Sequence, residues 1–202
     1  MPAVEYQWAN GWFAGTNRGV GYSFSKDPAL QYGLGLGLDL GRKESATGPL
    51  AGMGGIDAKV EYGAFLNFAP DRNWRLSSML RYGSGDTGQG ATANFGANYA
   101  IDIAPKWRLG LGVSTTWANA QTMQSYFGVS AAQSLQSGNS VYSPNSGLRD
   151  VSSNLNLSYQ VTPKISVSGG LNAISLIGDA KNSPIVTSSQ SVSGSLSVGY
   201  AF

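Results

Sequence analysis

The chain has no cysteine, no histidine and no apolar run long enough to cross a membrane as a helix. Each absence removes a class of chemistry. Without Cys there is no disulfide and no thiolate nucleophile, and without Cys and His together there is no Cys/His metal cluster. Without His, a Ser–His or Asp–His active site lacks the base that titrates near neutral pH. The many serines are then small polar spacers, and catalytic residues, cofactors and metals are all expected to be absent. A helical span needs about 20 predominantly apolar residues, and none exists. Charge is scarce as well: 12% of residues, net +2, too little and too scattered for a nucleic-acid partner. Met1-Pro2-Ala3 is not followed by the basic and apolar regions of a signal peptide. The run Gly33-Leu34-Gly35-Leu36-Gly37 lacks the Lys-Ser/Thr of a phosphate loop.

What the chain does have is glycine (28), aromatics (five Trp, ten Tyr, seven Phe) and strict alternation. From Gln190 onward, Val192, Gly194, Leu196, Val198, Tyr200 and Phe202 point one way. Ser191, Ser193, Ser195, Ser197, Gly199 and Ala201 point the other. No helix pattern offers a second apolar layer to cover the first face, so outer-membrane lipid is its natural cover. The closing Tyr200 and Phe202 resemble the C-terminal assembly signal of bacterial outer-membrane barrels, implying the barrel-assembly machinery as a partner. Period-two patterning predicts ten strands: 4–13, 17–25, 29–41, 57–68, 73–83, 92–103, 107–119, 150–161, 164–176 and 190–202. Most approach the 9–11 residues a tilted strand needs to cross a bilayer. The expected fold is all-β, an antiparallel transmembrane β-barrel forming one domain over residues 1–202. A soluble sandwich or lipocalin-like barrel is the competing reading.

The connections alternate in kind. Links at 26–28, 69–72, 104–106 and 162–164 are short and each carries a proline; those at 42–56, 84–91, 120–149 and 177–189 are long. In bacterial barrels short turns are periplasmic and long loops extracellular, which orients the chain. An even strand count returns its start to the periplasmic side. Phe24, Phe68, Trp74, Trp107 and Phe202 beside the short turns suit an interfacial girdle, with Trp12, Tyr82 and Trp117 near the other rim.

Charged residues at lumen-facing positions are few: Asp39, Asp57, Lys59 and Arg75 besides two expected pairs. Pairing Ile103 with Trp107 puts Asp102 opposite Arg108, and the same logic sets Glu61 opposite Arg81 or one step away. These are either interior ion pairs that pin register or a polar constriction selecting small solutes; pairing favours the former. The 120–149 link is long for a structureless loop and carries Tyr126, Phe127, Val129 and Leu135, so it is expected to fold back over or into the mouth, as a packed lid or as a recognition surface.

Met123-Gln124-Ser125-Tyr126-Phe127-Gly128-Val129-Ser130, followed by Ser137-Gly138, Tyr142 and Ser146-Gly147-Leu148-Arg149-Asp150, resembles the signature of the MipA/OmpV family. Leu176-Ile177-Gly178-Asp179-Ala180 with Ser183-Pro184-Ile185-Val186 is similar to its second hallmark. Gly41-Arg42 and Leu50-Ala51-Gly52-Met53-Gly54 fit too, and the match runs from about residue 10 to the end. The resemblance implies an outer-membrane barrel of a Gram-negative bacterium. Its founding member is a scaffold joining the lytic transglycosylase MltA to a murein synthase, and other members are porin-like or adhesive. It also implies a longer N-terminal stretch, so that this chain is a truncated form of a twelve-stranded protein. Tyr126, Phe127, Gly128 and Val129 are then expected to meet Gly178, Asp179, Ala180, Ser183 and Pro184 at the extracellular mouth.

Overall fold

The computed structural model describes residues 5–16 and 18–200. Eleven antiparallel strands form one sheet in chain order: β1 (Glu5–Gln7), β2 (Trp12–Gly15), β3 (Gly19–Ser23), β4 (Leu30–Asp39), β5 (Lys59–Phe68), β6 (Trp74–Ser84), β7 (Gly90–Ala104), β8 (Trp107–Ala118), β9 (Gly147–Gln160), β10 (Ile165–Leu176) and β11 (Gln190–Tyr200). Each strand pairs with its sequence neighbours, the meander of an up-and-down barrel. Among the described residues the helices are three, α1 (Ala120–Phe127), α2 (Ala131–Ser137) and α3 (Gly178–Lys181), and all lie in the long links. Among the described residues no helix is long and apolar enough to cross a membrane.

The period-two pattern separates the faces. Leu30, Tyr32, Leu34, Leu36 and Leu38 of β4 are exposed, as are Leu111 and Val113 of β8 and Val192, Leu196 and Val198 of β11. So wide an apolar surface suits lipid rather than water. The opposite face carries mainly Gly, Ser, Asn and Thr, with one apolar cluster. There Phe13 and Phe65 meet edge to face with centroids 5.6 Å apart, and the Arg18 guanidinium lies 4.2 Å above Phe13. Glycines make that space. A Cβ on Gly21 would sit 2.4 Å from the Phe13 ring, and one on Gly33 would sit 2.8 Å from Phe65.

Four expectations are corrected. Segment 4–13 is not one strand: Asn10-Gly11 turns the chain, Gly11 taking φ +99°, and β1 folds back on β2. Alternation hid a dipeptide that is itself a strong hairpin signal. The described strands therefore number eleven, and the start of β1 and the end of β11 do not share a rim. An irregularity between Asp102 and Ala104 makes Ala104, not Ile103, the partner of Trp107, while Asp102 still faces Arg108. Asp57, where a strand is expected to begin, lies exposed two residues before β5.

The sheet is not closed: among the described residues no pairing returns β11 to β1, and both faces of β11 are exposed. In lipid, free sheet edges leave backbone groups unsatisfied at several kcal/mol each, so a membrane-embedded form must pair them. Phe202, Asn17 and residues 1–4 lie outside the described residues.

Candidate functional site

The long links of 42–56, 120–149 and 177–189 fold together into a lid at one rim. Asn119, directly after β8, starts α1. Its side-chain oxygen accepts from Thr122 N at 2.9 Å and from Ala91 N at 3.0 Å, so one residue caps the helix and ties it to β7. α2 opens on a reciprocal capping box between Ser130 and Gln133 and ends at Gly138 in the left-handed conformation.

Two small cores hold the lid. Met53, Val129 and Ile185 are buried together with Leu50 and Tyr142 packed against them. Ala118, Met123 and Ala180 form the second, flanked by Phe127 and Leu176. Polar contacts join the same segments. Ser183 Oγ donates to the Phe127 carbonyl at 2.5 Å, Tyr142 OH to the Asp179 carbonyl at 2.8 Å, and Gln133 Nε2 to the Met53 carbonyl at 2.7 Å. The Asp179 carboxylate accepts from Asn145 N at 2.8 Å. Segments 126–129 and 178–184 thus lie at one mouth, with Gly178 opening α3 and Pro184 exposed. Leu135 is a correction: it is 90% exposed and packs into neither core.

The lid is latched to the wall at Asp39, the last residue of β4. Its carboxylate accepts from Tyr126 OH, from Gly85 N at 3.0 Å and from Gly41 N at 3.0 Å. Arg42 Nη1 donates to the Tyr126 carbonyl at 3.2 Å, and Asp86 N donates to Ser125 Oγ at 3.0 Å. Burial, then donation to Asp39, then the negative charges of Asp39 and Glu61 push the Tyr126 phenol well above its ordinary range. It remains a donor at any physiological pH.

Against α1 lies a chamber of about 530 Å³, lined by Asp39, Glu61, Arg81, Asn94, Arg149 and Tyr126 among others. Glu61 is only 6% exposed, and its Oε2 lies 3.4 Å from Arg81 Nη1. Strand register sets Gly63 opposite Arg81, so the Glu61 contact is diagonal. Arg149 Nε reaches Asp150 Oδ2 at 2.7 Å, and Thr116 OH donates to Asp150 Oδ1 at 3.1 Å.

Asp102 and Arg108 meet at 2.9 Å, both substantially exposed, and Arg108 Nη2 also donates to the Arg72 carbonyl at 2.9 Å. They line a separate space at the short-turn rim, so the two expected pairs do not share one constriction. Tyr200 pairs with Ile165 at the same end. Sequence reading missed the joining of Asp39 to Tyr126, the Arg149–Asp150 pair and the Phe13–Phe65 cluster. No local spacing connects positions 39 and 126. Among the described residues no group of three or more potential ligands is placed to hold a metal.

The family model for the MltA-interacting protein MipA matches residues 1–202. No curated protein matches the chain. Among solved structures the chain is similar to the NanC porin in a rhombohedral crystal form, with a TM-score of 0.57 and 10% identity, over 99% of this chain and 91% of that one. That likeness carries the fold alone. Family and fold together make this an outer-membrane protein of β-barrel type. The chain belongs to the MltA-interacting protein MipA family.

Proposed function

We propose that this chain is a non-enzymatic, single-domain outer-membrane scaffold that brings a lytic transglycosylase to a murein synthase. In this reading its short turns face the periplasm, its long links face outward, and the C-terminal strand carries the assembly signal. The observation that carries the reading is a match to the MltA-interacting family over every residue. The short-turn rim supplies a suitable chemistry. Asp27 accepts from Ala29 N, Asp71 from Asn73 N and Trp74 N, and Asp102 from Arg108. One oxygen of each carboxylate is thus engaged within the rim, while the side chains of Lys26, Lys106 and Lys164 stand exposed and offer positive charge to an acidic partner. Stable interfaces bury about 800 Å² on each side, more than these turns offer, so the contact is transient. A photo-crosslinker at position 106 or 164 of the refolded barrel is expected to capture purified lytic transglycosylase, and one at Leu135 is not. Capture from neither turn defeats the reading.

A narrow porin-like channel is the second reading, favoured by the polar wall and the chamber against α1. Single-channel conductance that rises when residues 124–146 are deleted supports it, and a sealed bilayer with folded protein opposes it.

A further inference from the structure

The chamber against α1 has a charge pattern that neither reading uses. Four ionised side chains line it, the carboxylates of Asp39 and Glu61 and the guanidiniums of Arg81 and Arg149, so its lining is electrically balanced. Their hydrogen-bonding capacity is not balanced. Asp39 is satisfied by three donors. Glu61 is buried, yet its one contact is the long 3.4 Å approach of Arg81, and Oε1 has no partner among the described residues. A guanidinium has five donors. Arg81 uses one on Glu61, and Arg149 uses Nε on Asp150 and leaves its Nη pair open. An unpartnered carboxylate oxygen and the open N–H groups of the Arg81 and Arg149 guanidiniums therefore face one cavity of about 530 Å³.

We propose that this chamber binds a small zwitterion, an amino acid or short peptide, with the ligand carboxylate on the Arg149 and Arg81 forks and its ammonium on Glu61. A fork matches a carboxylate with two parallel bonds. The balanced lining disfavours a ligand of net negative charge, which would leave Glu61 facing like charge. The volume lies within the usual range of small-molecule sites and suits a di- or tripeptide. Asn94 and Thr92 on β7 supply further polar groups, and Phe127 and Met79 supply apolar contact for a side chain. The proposal concerns the lumen and stands apart from the scaffold reading, which concerns the short-turn rim.

The test is titration of the refolded, lidded protein in micelles with alanyl-alanine, acetate and ethylamine, followed by calorimetry or ligand-observed NMR. The dipeptide is expected to bind saturably, and acetate and ethylamine at least about tenfold more weakly, since each satisfies only one end. Glu61→Gln and Arg149→Lys are each expected to weaken the dipeptide by about tenfold or more, and Arg108→Gln at the other rim to leave it unchanged. Should Glu61→Gln fail to fold, Arg149→Lys decides alone, because it keeps a cation beside Asp150 and removes the fork. No saturable binding of the dipeptide, equal binding of acetate, or an unchanged affinity in Arg149→Lys would overturn the proposal.

Discussion

Tyr126→Phe removes one hydroxyl from the lid and leaves its ring in place. Asp39 keeps the amide donors of Gly41 and Gly85, so no carboxylate is orphaned, and the loss is a single hydrogen bond to a charged acceptor. Such bonds contribute about 1.5–3 kcal/mol. Tyr126 and Asp39 are half-buried, which places the effect near the lower bound, about 1.5 kcal/mol after solvent screening. That is about a tenfold rise in the population with the lid open. Because lids open locally without unfolding the sheet, the readout is amide hydrogen exchange in micelles. Amides of α1, such as Met123 N bonded to the Asn119 carbonyl, are expected to exchange about tenfold faster, with those of β8 and β9 unchanged. Unaltered exchange in α1 would mean that the two apolar cores hold the lid and the latch is incidental. Equal acceleration in β8 would mean that lid and barrel open as one unit. Either result refutes the latch.

The same phenol gives a pH dependence. Its raised folded value means that the unfolded chain loses the proton first, so the stabilisation is whole below about pH 10 and falls as pH rises further. Exchange in α1 measured from pH 9 upward should accelerate in the wild type beyond the intrinsic base-catalysed rise, and not in Tyr126→Phe. Met53→Ala empties part of the core shared with Val129 and Ile185 and is expected to cost about 2 kcal/mol or more locally, read as faster proteolysis within 42–56 and 120–149. Leu196→Arg at mid-strand on the lipid face is expected to cost about 2–4 kcal/mol in vesicle-embedded unfolding, while Ser195→Arg on the lumen face costs far less. Asp102→Asn breaks an exposed pair and should move stability by less than about 1 kcal/mol in the same assay.

The barrel was legible because period two is a local property. Each of the long strands β4 to β11 shows its lipid-facing set within about a dozen residues, and the prolines of the short links mark where one strand stops and its partner begins. The same locality explains the miss at the N-terminus. Across 4–13 the turn residues Asn10-Gly11 fall inside an alternation that continues through them, so periodicity outvoted turn chemistry. The helices of the lid carried their own local signals in Asn119 and in Ser130 with Gln133. Those caps are short and polar, and in a link rich in Gly and Ser they do not stand out from ordinary loop residues.

The lid shows where local information ends. A meander sends every second link to one rim, so the topology alone requires 42–56, 120–149 and 177–189 to share a mouth. It does not say which residues touch. Met53, Val129 and Ile185 meet because each is apolar in a polar link, a condition visible in the sequence. Asp39 and Tyr126 meet for a different reason. Asp39 is the last lumen-facing residue of β4, where the wall stops and its backbone can no longer supply neighbours. A carboxylate there needs donors from above, and Gly85 and Tyr126 are the groups that the adjoining links deliver. Asp39, a charged residue at the final inward position of its strand, is therefore one place where this wall is bonded to its lid, and such a position can be sought from a strand end even when the partner cannot be named.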